Sequence, residues 1–248
     1  MSSRKLSTQR LLSFQRRADL GNVVGKVIMV ASVFFLIAAA AQVTGAQENG
    51  LPTPFLPAQV HPVSTVPSNG DVNPYGVAFV PAGFPTGTVN PGDILVSNFN
   101  NKKNLQGTGT TIVDVPAGTG GSVSVFFQGK GLLGLSTALN ILRKGFVLVG
   151  NFPSHDGTCG NALNGSILVI NSSGQLVSSI ADPLFINGPW DSALYDQGNK
   201  AKLFVANGLT GTIVRLDLIV SSTGVTLDGE TQIASGYLHQ CDPVAFVD

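Results

Sequence analysis

Asp93-Ile-Leu-Val-Ser-Asn98, Gly145-Phe-Val-Leu-Val-Gly-Asn151 and Lys202-Leu-Phe-Val-Ala-Asn207 are three versions of one phrase, a short apolar run that ends in asparagine. Runs of this length rich in Val, Ile, Leu and Phe read as strands, and Asn suits a strand end because it tolerates left-handed backbone and bonds its own turn. Working outward, a strand of similar type precedes each phrase: Tyr75 to Phe79, Leu135 to Leu139, and Trp190 to Tyr195. A β-branched strand follows each: Thr110 to Val115, Ser166 to Ile170, and Thr212 to Leu216. A fourth closes each unit: Ser122 to Phe127, Gln175 to Ile180, and Thr231 to Ala234. The terminal asparagines recur at intervals of 53 and 56 residues. Four strands at about fifty residues is the period of a β-propeller blade. Runs apolar on both faces, such as Phe146-Val-Leu-Val149, need cover on both sides, as stacked blades provide.

The stretch Leu203-Phe-Val-Ala-Asn207, then Gly211-Thr-Ile-Val-Arg-Leu-Asp217, resembles the YVTN and NHL families of β-propeller repeats, and Asn73-Pro-Tyr-Gly-Val-Ala-Phe79 looks like the innermost strand that opens such a blade. The resemblance covers about residues 73–248 and implies a fold and an exported setting, without an activity. The expected fold is therefore all-β, a partial propeller with blades at 73–130, 131–186 and 187–240, and the first strand of another at 241–248. A closed propeller needs at least four blades. The chain thus reads as a truncated product, or as one that completes its ring by oligomerising. A strand near Val60–Val66 would pair into the last, missing blade.

Residues 1–26 hold six Lys and Arg against one acid, and the uncharged run Val27 to Ala41 follows directly. Thr44 and Ala46 supply small residues for a cleavage site, so residues 1–46 read as a secretory signal behind a helical apolar segment. The competing reading is an uncleaved anchor through residues 27–43, and membrane contact is expected only in that case. Residues 47–72 read as an extended linker. Either way the destination is periplasmic or extracellular. Fourteen basic and fourteen acidic side chains balance, which leaves no basic footprint for nucleic acid.

Candidate site residues are few. Cys159 and Cys241 are the only cysteines, each beside a histidine, His155 and His239. In a propeller the two loops concerned emerge on one face. An exported chain with two cysteines commonly joins them. The alternatives are a Cys2His2 metal site, whose spacing matches no standard zinc motif, and unpaired thiols. Ligand-face candidates are Tyr75 and Trp190, at equivalent positions, with Asp191 and the recurrent Asn98, Asn151 and Asn207. Gly134-Leu-Ser136-Thr-Ala138 falls short of a nucleophile elbow, lacking the second glycine and the strand-to-helix turn. The glycine-rich turns at 107–110 and 118–121 lack the Lys-Ser or Lys-Thr of a phosphate loop. No cofactor is expected.

The reading is an extracytoplasmic propeller that binds or scaffolds an unidentified ligand or protein. Two alternatives stay open: a propeller enzyme of metal-assisted hydrolase or lactonase type with only part of its site present, and a truncated product without function.

Overall fold

The computed structural model describes residues 62–118 and 121–247. Residues 1–46, read from the sequence as a signal or anchor, and the expected linker up to residue 61 lie outside the described residues. Among the described residues no helix is long and apolar enough to cross a membrane. Strands build the fold. Sheet one is β1 (Val72–Phe79), β2 (Ile94–Asn100), β3 (Thr111–Val115) and β4 (Ser124–Gln128). Sheet two is β5 (Leu135–Leu142), β6 (Phe146–Asn151), β7 (Ser166–Asn171) and β8 (Leu176–Ile180). Sheet three is β9 (Pro189–Asp196), β10 (Lys200–Asn207), β11 (Thr212–Val220) and β12 (Val225–Ala234). Each is an antiparallel meander whose strands pair in chain order. A small fourth pair, β13 (Cys241–Asp242) and β14 (Phe246–Val247), ends the described chain.

The sheets stack, and β6 shows why its sequence allows nothing else. Phe146 and Leu148 point into the core shared with sheet three, beside Leu203, Val205 and Leu216. Val147 and Val149 point the other way, into the core shared with sheet one, beside Leu95 and Ile112. Side chains alternate along a strand, so an apolar run with period one feeds two cores at once. Each fully buried Leu, Ile or Val contributes about 1.5–3 kcal/mol relative to exposure. Sheet three has one such face only. On its other face Lys202 and Arg215 reach Asp217, whose carboxyl those hydrogen bonds and charges hold below the usual range.

First strands β1, β5 and β9 run side by side, tied by hydroxyls that cross between sheets. Ser97 on β2 accepts from Gly76 N (3.0 Å) and donates to Ser136 O (2.9 Å). Ser136 on β5 donates to Pro189 O (2.6 Å). The two serines come from different strands of their units, and a glycine faces each. A Cβ on Gly76 would lie 2.5 Å from Ser97 Oγ, and one on Gly150 would lie 2.3 Å from Ser136 Oγ. The same bridge is made twice with the glycine and serine exchanged. Ser136 is fully buried in this structural role.

Three strand expectations need correction. Residues 62–66, the described part of the Val60–Val66 stretch, form no strand. Pro62 and Pro67 bracket them and supply no N–H, and the Thr65 carbonyl accepts from the Asn98 side chain (3.0 Å) instead of joining a ladder. Residues 241–247 are not one strand but a tight hairpin. The Asp242 carboxylate accepts from Val244 N and Ala245 N, both at 2.6 Å, and turns the chain back. Finally, β12 starts at Val225, because Ser221 Oγ accepts from Thr223 N and Gly224 N and closes a turn that sends β12 back along β11.

Asp114 on β3 is buried at 4% exposure, and its Oδ1 has no partner. Burial first, then the negative charge of Asp93, push its carboxyl from 3.8 up to about 6. Between these values the folded state binds more protons than the unfolded chain, so stability falls as pH rises from about 4 to about 6 and is level above that. The shift corresponds to at most ~3 kcal/mol, which solvent screening cuts to ~1–2 kcal/mol. Asp114→Asn is therefore expected to match the parent below about pH 4 and to exceed its stability by ~1–2 kcal/mol at about pH 7. Urea unfolding of both proteins at the two pH values checks this, and equal midpoints at the higher pH would refute it.

Candidate ligand pocket

The recurrent asparagines act as clips. Asn151 Oδ1 accepts from Gly134 N (2.9 Å) and its amide reaches Ser166 Oγ (3.4 Å). Asn207 Oδ1 accepts from Asn187 N (3.0 Å), while its amide donates to Phe185 O (2.8 Å) and Thr212 Oγ1 (3.0 Å). Asn98 donates to Thr65 O and to Thr111 Oγ1 (3.3 Å). In every unit the side chain joins the segment before the first strand to the hydroxyl that opens the third. All three asparagines are buried; Asn151 and Asn207 use both ends of their amides, whereas Asn98 Oδ1 has no partner among the described residues.

One residue further on, the repeat breaks. Phe99 and Phe152 follow Asn98 and Asn151, but Gly208 follows Asn207. Phe99 and Phe152 are fully buried and form a third apolar cluster with Cys159, Phe246 and Val247, bordered by Tyr75, Trp190 and Leu209. Tyr75 stacks on Phe99 with centroids 5.0 Å apart, and the Trp190 ring meets Phe99 edge-on at 5.3 Å and Phe152 at 6.1 Å. Such pairs add about 0.5–1.5 kcal/mol each beyond area burial.

Beside Gly208 lies a pocket of about 310 Å³, open to solvent on the side of Tyr237 and His239 and lined also by Trp190, Asn207 and Val247. A Cβ on Gly208 would lie 3.2 Å from Val247 Cγ2, closer than an ordinary contact, and 3.7 Å from Trp190 Cβ, and both residues belong to the pocket wall. The volume lies at the lower end of the range for small-molecule sites.

The far wall comes from the C-terminal hairpin. Its two-residue strands join no larger sheet, and it is held by a Cys159–Cys241 disulfide, by Gln106 Nε2 donating to Val244 O (2.8 Å), and by Phe246. The disulfide reading is thus the one the structure shows. It removes the metal alternative, since bridged sulfurs are no thiolates and His155 and His239 would be left as two of four ligands. Among the described residues no group of three or more His, Cys, Asp or Glu is placed to hold a metal ion.

The fold brings Trp190 and Asn207 to this cavity and sets Tyr75 behind Trp190, at 5.5 Å. Asn98 and Asn151 hold equivalent positions in the other sheets. Asp191 stands apart, exposed, with Oδ1 accepting its neighbour's N–H at Ser192 (2.8 Å). Sequence reading did not single out Gly208, Tyr237 or Val247. Extending the repeat alignment by one residue would have exposed the Phe, Phe, Gly series. Among the described residues no Lys, Arg, Asp or Glu lines the pocket. No protein-family model matches the chain, and neither a curated protein nor a solved structure matches it.

Proposed function

We propose that this chain is an exported, propeller-type binding protein whose ligand occupies the cavity beside Trp190. Three four-stranded sheets of one repeated pattern support the propeller reading, together with the resemblance of residues 203–217 to YVTN and NHL repeats. A disulfide suits an oxidising, extracytoplasmic compartment. The observation that carries the binding reading is the pocket of about 310 Å³ beside Trp190, bordered by Gly208 at the position where the other two units have phenylalanine. An empty apolar space beside an aromatic ring costs dispersion contacts. A ligand that fills it recovers them.

The chain's only tryptophan lines the cavity and serves as the reporter. Titration with a panel of small ring compounds is expected to give a saturable change in Trp190 emission. Gly208→Phe should abolish the response, because the new side chain takes up room beside Trp190 and Val247 in the pocket wall. A panel without one saturable response, or a G208F protein that responds like the parent, would overturn the reading.

A further inference from the structure

We infer that Asn164 is a site of spontaneous chemical modification, the one Asn-Gly pair among the described residues that the fold leaves free to lose ammonia and become aspartate or isoaspartate. The reaction is intramolecular. The backbone nitrogen of the following residue gives up its proton and attacks the Asn Cγ, forming a new C–N bond. The bond from Cγ to the side-chain nitrogen breaks, ammonia leaves, and a five-membered succinimide remains. Water then opens the ring at either carbonyl, giving aspartate or isoaspartate. Glycine in the second position favours the attack, because no Cβ crowds its nitrogen. A hydrogen bond from that nitrogen, or one that holds the side-chain amide in place, opposes it.

The described residues contain four Asn-Gly pairs, and three are held at both groups. Gly70 N donates to Pro67 O (2.9 Å), while Asn69 Oδ1 accepts from Asp71 N (3.2 Å). Gly188 N donates to Asn164 O (2.6 Å), and the Asn187 amide donates to Pro183 O (2.7 Å). Gly208 N donates to Gly188 O (2.8 Å), and Asn207 is buried with both ends of its amide bonded. Asn164 differs on every count. It is exposed, its side chain makes no hydrogen bond among the described residues, and Gly165 N donates to no group there. Position 165 requires its glycine, because φ is +86° and a Cβ would lie 2.1 Å from Asn151 O. The Asn164 carbonyl holds Gly188, which leads into Pro189 and Trp190. The main-chain carbon that isoaspartate adds therefore enters one hydrogen bond away from the strand that carries Trp190 to the pocket.

The test ages the oxidised protein in mildly alkaline buffer made with water enriched in the heavy oxygen isotope, and follows peptides by mass spectrometry. Asn164 is expected to deamidate about tenfold or more faster than Asn69, Asn187 and Asn207, since each hydrogen bond on a reacting group raises the barrier. Its peptide should gain one heavy oxygen and separate into two isomers, one of them a substrate for an isoaspartyl methyltransferase. Unfolded in guanidinium, the four sites should react at similar rates, because the protection resides in the fold. Asn164→Gln should remove the fast site and leave the three slow ones unchanged. Asn49-Gly50 lies outside the described residues and is read in a separate peptide, apart from the comparison. Equal rates at the four sites in the native protein, or an Asn164 that outlasts any of the others, would overturn the inference. So would a ranking that persists unchanged in guanidinium, which would place the preference in local sequence and not in the fold.

Discussion

Replacing Cys159 and Cys241 together by serine is expected to lower the thermal midpoint by about 10 °C or more. The bridge joins residues 82 apart in sequence. In the chain-entropy account, a loop of that length restricts the unfolded chain enough to contribute about 4–5 kcal/mol. For a domain of this size each kilocalorie moves the midpoint by roughly 2–4 °C. The loss should begin locally. Once Cys241 is free, the contacts that hold the hairpin among the described residues are Phe246, Val247 and the bond from Gln106 to Val244 O, so Trp190 loses its cover before the sheets separate. Trp190 emission should therefore shift to the red at a lower temperature than the calorimetric midpoint, in the double variant and in the parent treated with a dithiol. Melts within about 2 °C of each other would show that the bridge constrains little.

Phe246→Ala is the second large effect, with an expected cost of about 3–4 kcal/mol. Phe246 is 1% exposed, and its ring lies 5.4 Å from Phe99, 5.0 Å from Phe152 and 6.4 Å from Trp190. Truncation leaves a void at the centre of the third cluster that the flanking rings cannot fill without leaving their rotamers. Val244→Ala, two residues away and 82% exposed, should cost under about 0.5 kcal/mol and controls for general perturbation of the hairpin. Both Phe246 and the disulfide act on the same hairpin, so the triple variant should lose less than the sum of its parts. Strict additivity in denaturant unfolding would mean that ring and bridge stabilise separate pieces.

Much of the architecture was legible because strand character is a local property. The apolar runs ending in Asn98, Asn151 and Asn207 state their period within six or seven residues, and the structure places each as the second strand of a four-stranded sheet. The doubly apolar run at Phe146–Val149 requires two covers, and it has them. Less was legible where one side chain decides a turn. Asn73-Pro74 and Asp242-Pro243 look alike, yet the first opens β1 and the second closes a hairpin. The Asn73 amide donates across to Asn100 Oδ1 (3.2 Å), whereas the Asp242 carboxylate only accepts and gathers two backbone N–H groups. Cysteine parity pointed to a disulfide, but the same four residues also spelled a metal site until the bridge was seen.

The sequence by itself determined the all-β character and the three four-stranded units, because alternation, apolar runs and turn residues act between neighbours in the chain. Only the tertiary structure decided that the space beside Gly208 becomes a cavity. Its walls come from β9, from the turn after β10, from Tyr237 and His239, and from a hairpin fastened to a loop of sheet two. A cavity is a missing volume among segments that are distant in sequence, and packing of those segments, not the propensity of any one of them, fixes whether it stays open.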